Sequence, residues 1–374
     1  MSASPRLSRF DELDTPCLIL DAEMLEQNLR SMQNLVTSAG RNLRPHVKTH
    51  KCSTLARRQL ESGAVGVCVA KVSEAAALME AGISNILITG PVVAPMKMAR
   101  LVGLAIENPD VMVVVDSEQG VLTLDAVARG RRQIIQVLLD VDVGLGRTGI
   151  SPDQAEALAA RVSACQNLHL CGIQAYAGHL QHVENHAERR EASKVSLAPA
   201  VALFHRLQRN FPNCTVFSAS GTGTVCDDLS IAKITEVQPG SYVCMDTEYL
   251  NIGSVDDPHA FTTYAPALRV LTSVVSHRGD GSVTVDAGLK AIYRDGPSPR
   301  VFSPAYAGWT YDWFGDEYGR LIPPPGAEPP PLGSTIELIP SHCDPTINLF
   351  DCFHLVRDQE VIDCWAIDLR GCSQ

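Results

Sequence analysis

Residues 65–89 read VGVCVAKVSEAAALMEAGISNILIT, and this stretch decides the fold. Residues 65–70 form an apolar run of strand length. Residues 71–81 then place apolar side chains at helical spacing, and Gly82 closes them. A second apolar run follows at 86–89. A strand, a helix and a strand in such quick succession make a βαβ unit, whose two strands lie parallel because the helix crosses back over the sheet.

The same alternation continues in both directions. Strand-like runs cover 43–49, 65–70, 86–89, 111–115, 134–141, 168–176 and 215–218, with a weaker one at 241–245. Helical patterns cover 71–81, 96–106, 118–129, 152–163 and 187–210. Ser151 before Pro152 reads as an N-cap followed by proline at the first helical position. Eight such repeats over ~200 residues predict an α/β chain with a (β/α)8 TIM barrel as its N-terminal domain. A doubly wound open sheet is the alternative. No G-x-G-x-x-G follows the first strand, which argues against the dinucleotide-binding form of that fold.

After residue 259 the pattern changes. Residues 268–277 and 282–287 read as strands joined by a turn at Gly279-Asp280-Gly281. Further strands are expected at 335–339, 352–357 and 361–367, the last two joined by Asp358-Gln359. Residues 323–333, rich in proline and glycine, read as a loop. Residues 15–21 are also strand-like and precede the first barrel helix. The expected division is a barrel at 23–258 and a C-terminal antiparallel β-rich domain built from 1–22 and 259–374.

The length of 374 residues suits two domains, and 45% hydrophobic with 20% charged residues is the balance of a globular chain. The net charge of −11 argues against a nucleic-acid or anionic-membrane partner, which needs clustered Lys and Arg. No apolar run is long enough to span a membrane. Met1 to Phe10 carries Arg6 and Arg9 without an apolar core behind them, so no secretory signal is expected and the location is read as cytoplasmic. Twelve cysteines with no C-x-x-C pair are expected to be reduced thiols.

Three constellations carry chemistry. The first is Arg44-Pro45-His46-Val47-Lys48-Thr49-His50-Lys51. In a strand, His46, Lys48 and His50 share one face and point into the barrel. A lysine there loses solvation, which favours the neutral amine that forms a Schiff base; the bland alternative is an exposed basic strand end. The second is Ser218-Ala219-Ser220-Gly221-Thr222-Gly223-Thr224, with Gly240-Ser241-Tyr242 further on. Small residues after a late barrel strand let backbone N–H groups approach a phosphate, although a plain flexible loop reads the same way. The third is Pro340-Ser341-His342-Cys343-Asp344-Pro345. In an extended segment His342 and Asp344 face one way and offer a nitrogen and a carboxylate to one metal, with positions left for water and substrate. Cys343 faces away. A polar turn before Asn348 is the competing reading. Lesser candidates are Arg147 in Gly144-Leu145-Gly146-Arg147-Thr148-Gly149, and Tyr176, His179 and His182, all at strand ends on the face where barrels place their sites.

Together these motifs resemble the D-threonine aldolase and D-serine dehydratase family, in the alanine-racemase-like class of pyridoxal-phosphate (PLP) enzymes. The resemblance runs from Asp14-Thr15-Pro16 to Asp368-Leu369-Arg370-Gly371. It includes Lys71-Val72-Ser73-Glu74-Ala75, Gln174-Ala175-Tyr176 and Asp286-Ala287-Gly288-Leu289-Lys290 beside the three constellations. It implies that Lys48 bonds PLP covalently, that Arg147 and Tyr176 contact its ring, and that Gly221, Thr222, Gly223, Ser241 and Tyr242 surround its phosphate. It also implies a head-to-tail homodimer, each active site lined by a barrel and the partner's β-domain. Dehydratases of the family look like His-x-Cys. This chain has His342-x-Asp344, similar to the aldolases, and a carboxylate suits Mn²⁺, Mg²⁺ or Co²⁺ better than Zn²⁺.

The sequence departs from the aldolases at Ser218-Ala219-Ser220, where they carry more glycine. It departs again at Asp316-Glu317-Tyr318-Gly319, where they often carry a histidine. The expected reaction is retro-aldol cleavage of a β-hydroxy D-amino acid of the D-threonine type to glycine and an aldehyde, with His182 or a metal-bound hydroxide as base. Rival readings are a D-serine or 3-hydroxy-D-aspartate dehydratase, a 3-hydroxy-D-aspartate aldolase, an amino-acid racemase and, outside enzymes, a PLP carrier.

Overall fold

The computed structural model describes residues 9–374; Arg6 and the rest of residues 1–8, on which part of the signal-peptide reading falls, lie outside the described residues. The chain divides into two compact units. One holds residues 32–48, 55–240 and 371–374, and the other the residues up to 31 with 49–54 and 241–370.

The first unit is the (β/α)8 barrel. Its strands are Asn42–Leu43, Val67–Val69, Ile86–Ile88, Met112–Val115, Ile135–Asp140, Leu168–Ala175, Val216–Ala219 and Glu236–Val237; from Val67–Val69 onward each is parallel to the next, and the last is also parallel to the first. Closure comes from the segment after the first strand. Val65 N–H donates to Leu43 O at 2.9 Å and Cys68 N–H to Pro45 O at 2.8 Å. Helices Val72–Glu80, Pro95–Glu107, Glu118–Gly130, Ala155–Ala164 and His186–Asn210 follow successive strands. Their starts are chemically marked. Glu74 accepts from the N–H groups of Ala70 and Lys71, Ser117 Oγ from Gly120 N–H, and Asn185 from Glu188 N–H. Cys68, Leu87, Met112, Val114, Leu138 and Cys171 form one buried apolar cluster.

Three sequence expectations are corrected here. The first strand is two residues long, not 43–49, because Val47–Thr49 winds into a 3-10 turn. The eighth strand is Glu236–Val237, and Ser241–Val243, expected as a strand, is another 3-10 turn. Ser151 and Pro152 form a turn closed by Gln154 N–H to Ser151 O at 3.0 Å, and the helix starts at Ala155.

The second unit is built on a nine-stranded sheet. Cys17–Asp21 lies between Leu268–His277, antiparallel to it, and Cys352–Arg357, parallel to it. Leu268–His277 pairs with Val283–Val285 across the expected hairpin. Cys352–Arg357 pairs with Glu360–Ala366, and the two turn residues, Asp358 and Gln359, take φ of 49° and 65° as a tight hairpin demands. Three strands were not legible: Arg300–Val301, Thr310–Trp313 and Gly319–Ile322. They have two to four residues each, too few for alternation to show. Asp316-Glu317-Tyr318 forms the turn between the last two, with Phe314 N–H donating to Tyr318 O at 3.0 Å. All twelve cysteines are free thiols. No helix among the described residues is long and apolar enough to cross a membrane.

Candidate active site

Lys48 sits on the 3-10 turn just past the first barrel strand, half-buried. The turn breaks the strand alternation, so the expected common face of His46, Lys48 and His50 does not form. A different arrangement holds the lysine. His46 Nδ1 accepts the Lys48 N–H at 3.3 Å, which leaves the ring proton on Nε2. Nε2 donates to Thr89 Oγ1 at 3.0 Å, and that hydroxyl donates to Val69 O at 3.1 Å. His46 is therefore a neutral strut beneath the lysine's backbone. His50, fully buried, accepts from Cys52 N–H at 3.3 Å.

Polar side chains that sequence reading did not single out line the barrel interior. Gln174 donates to Thr89 O at 3.0 Å and to Asp140 Oδ1 at 2.9 Å. Gln238 donates to Gln174 Oε1 at 3.1 Å and to Ser218 Oγ at 2.7 Å, and Thr148 donates to Asp140 Oδ2 at 2.7 Å. Burial pushes the Asp140 carboxyl above its ordinary range, opposed by those two hydrogen bonds. Gln174, Ser218 and Thr148 lie within motifs visible in the sequence, whereas Thr89, Asp140 and Gln238 do not.

Arg147, Tyr176 and the glycine loop do come together. The Arg147 guanidinium lies 5.8 Å from the centre of the Tyr176 ring. The same ring backs onto Gly221, where a Cβ would come within 3.1 Å of it and 2.5 Å from Gln181 Oε1. At Gly223 a Cβ would lie 2.1 Å from Gln181 O. Both glycines are thus required by close packing on Gln181. Gly223 also spends its backbone groups on the protein: its N–H donates to Gln181 Oε1 at 3.0 Å, and its carbonyl accepts from Arg189 Nε at 2.8 Å. Thr222 is buried within the loop. Asp228, buried, accepts from Ser193 Oγ at 2.6 Å and from Ser220 Oγ, which steadies the positive φ of Ser220. The donor set suits PLP: an amine, a cation on an aromatic ring, and a buried loop of glycine and hydroxyl residues. His182 follows the 3-10 turn Gly178–Leu180, half-buried, and His179 on that turn is exposed.

In the second unit Ser241 and Tyr242 are buried on the 3-10 turn Ser241–Val243, and Tyr242 packs edge-on to Tyr264 with ring centres 5.8 Å apart. His342 is extended at φ −143°, but Asp344 already belongs to the short helix Cys343–Ile347. The pair still converges, with His342 Nε2 4.0 Å from Asp344 Oδ1. Two donors bonded to one ion at about 2.1 Å in neighbouring octahedral positions stand about 3.0 Å apart, so this pair would close by about 1 Å to share a cation. Cys343 turns away, its thiol buried and set against Met245 O at 3.2 Å. No group of three or more His, Cys, Asp or Glu side chains among the described residues is placed to hold a metal. His342 Nδ1 meets Asp295 Oδ2 at 3.1 Å. Asp246, wholly buried, accepts from Cys343 N–H at 2.9 Å and Tyr249 N–H at 3.0 Å. Neither acid was visible from spacing, since they lie 47 and 97 residues from their partners.

Comparison with known proteins gives a consistent picture. Residues 20–248 match the alanine racemase N-terminal domain, and residues 267–356 a putative serine dehydratase domain. A D-threonine aldolase of Arthrobacter sp. is 38% identical over 363 residues, covering 97% of this chain and 94% of the relative. A 3-hydroxy-D-aspartate aldolase of Paracoccus denitrificans is 33% identical, covering 98% and 95%. The crystal structure of a D-threonine aldolase from Filomicrobium marinum superposes with a TM-score of 0.93 at 35% identity, covering all of both chains.

Proposed function

Because the chain belongs to the alanine-racemase-like family of D-threonine aldolases and D-serine dehydratases, and is an aldolase-like lyase within it, we propose that it cleaves a β-hydroxy D-amino acid of the D-threonine type to glycine and an aldehyde, using PLP and a divalent metal. The observation that carries the metal-assisted aldolase reading is the His342 Nε2–Asp344 Oδ1 pair, 4.0 Å apart with Cys343 turned away. A carboxylate in that place favours Mn²⁺, Mg²⁺ or Co²⁺ over Zn²⁺.

PLP supplies an electron sink for the bond that breaks at Cα, and the ion an acid for the β-hydroxyl. The chain's own residues do the rest. Lys48 provides the amine that carries the cofactor, on a backbone held by His46. Arg147 and Tyr176 would hold the ring, and the loop at Gly221 and Thr222, with Ser241 and Tyr242, would surround the phosphate, Gly223 closing that loop on Gln181 and Arg189. His342 and Asp344 would hold the ion, which would polarise the hydroxyl. His182 is the candidate group for accepting its proton. A reducing surrounding would keep its twelve thiols free, and a homodimer is the working form that the family resemblance implies. Full-length similarity to enzymes disfavours a carrier.

The test offers D-threonine and D-serine side by side to enzyme supplied with PLP and Mn²⁺. Glycine and acetaldehyde from D-threonine, lost on chelation, are expected. Ammonia and an oxo acid would overturn the aldolase reading in favour of a dehydratase, which the match at 267–356 keeps in view. The same assay with 3-hydroxy-D-aspartate ranks the side chains.

A further inference from the structure

The metal reading names two ligands but leaves open what aims them. Imidazole has two nitrogens, and only the one without the proton can bind a metal. At His342 the choice is made by Asp295. Its Oδ2 lies 3.1 Å from Nδ1. A carboxylate can only accept, so Nδ1 carries the proton. In the neutral ring, the form that binds a metal, Nε2 is then the lone-pair nitrogen, and it is the one that faces Asp344.

The Asp295 segment is fastened beside the His342 loop by two further bonds. Ser341 Oγ donates to Tyr293 O at 2.8 Å, and Tyr293 N–H donates to Thr346 Oγ1 at 3.3 Å. From the other side, the buried Asp246 carboxylate grips the Cys343 N–H, the peptide between the two ligands. The loop backbone and the ring rotation are therefore set by separate acids.

We propose that Asp295 is a positioning residue for the metal: it holds the His342 proton on Nδ1 and presents Nε2 to the ion. The proposal rests on the metal reading above. Asp295 is 58% exposed, so water screens its charge and its chief contribution is the accepted hydrogen bond. That distinction sets the test, because asparagine keeps an accepting oxygen and loses the charge.

The experiment measures Mn²⁺ affinity of the PLP-bound enzyme from the free-Mn²⁺ electron paramagnetic resonance signal. The variants are His342→Ala, Asp295→Ala and Asp295→Asn, and the visible absorbance of bound PLP confirms that each is folded. Asp295→Ala is expected to weaken binding about 10- to 100-fold. Asp295→Asn is expected to recover most of that loss. Wild-type affinity in Asp295→Ala overturns the proposal. An asparagine variant as weak as the alanine one overturns the hydrogen-bond account. Unchanged binding in His342→Ala overturns the metal reading itself, a result separable from the other two.

Discussion

Arg189 Nε donates to Gly223 O at 2.8 Å, from a guanidinium with no exposed surface. Its Nη1 reaches Val183 O at 2.5 Å and Glu184 O at 3.3 Å. One buried side chain thus ties the glycine loop to the segment that carries His182. Arg189→Met keeps the bulk and removes all these donors. The variant should lose PLP affinity by about tenfold or more, since a broken buried hydrogen bond to a charged group costs about 1.5–3 kcal/mol. Affinity for pyridoxal, which lacks the phosphate, should change far less. Equal losses for the two ligands would mean that Arg189 supports the barrel generally. Titration by absorbance decides it.

Replacing Lys48 by alanine should abolish the visible absorbance of PLP bound to the protein and reduce turnover to background. The barrel should persist, because Lys48 contributes to the turn through its backbone N–H. An absorbance that survives unchanged in Lys48→Ala, read on the purified variant, would place the cofactor on another lysine.

Arg44 and Glu236 form a buried ion pair between the first and last barrel strands. Arg44 Nε lies 3.0 Å and 3.1 Å from the two Glu236 oxygens, and its Nη1 donates to Asn85 O at 2.8 Å. Glu236→Ala strands the guanidinium without its counter-charge, at a cost of about 3–5 kcal/mol. The double replacement Arg44→Met with Glu236→Leu should recover much of that. Urea unfolding midpoints of the two variants test the difference, and equal midpoints would mean the stranded charge finds water.

Burial holds the His354 imidazole below its ordinary value of 6.5. It lies on Cys352–Arg357 between Ile19 and Cys364 on the neighbouring strands. The unfolded chain therefore takes up the proton first as pH falls. Stability from this group is present above pH 6.5 and is lost as pH falls through the lower folded-state value. His354→Gln should flatten that part of the profile. Urea midpoints at about pH 7.5 and 5.5 should differ less in the variant than in the wild type. An identical drop in both would assign the acid sensitivity elsewhere.

The pattern of apolar runs is a local property, so the barrel could be read from it. Residues 65–89 alone contain the βαβ unit, and the hairpin at Asp358-Gln359 is equally local. The closeness of His342 and Asp344 could be read because spacing puts their side chains near one another in either an extended or a turning segment. The strand inferred through Lys48 failed for a different reason. Tertiary hydrogen bonds from His46 to Thr89, 43 residues away, favour the 3-10 turn over continued alternation.

The sequence by itself therefore determined the kinds of element, their order, and the chemistry on offer: an amine, a glycine loop and a histidine–carboxylate pair. Only the tertiary structure decided how those groups are aimed. Asp295 on His342, Arg189 on Gly223 and Glu236 on Arg44 are contacts between residues far apart in the chain. Hydrogen bonds act over about 3 Å, a range on which sequence separation carries no information until the chain has closed.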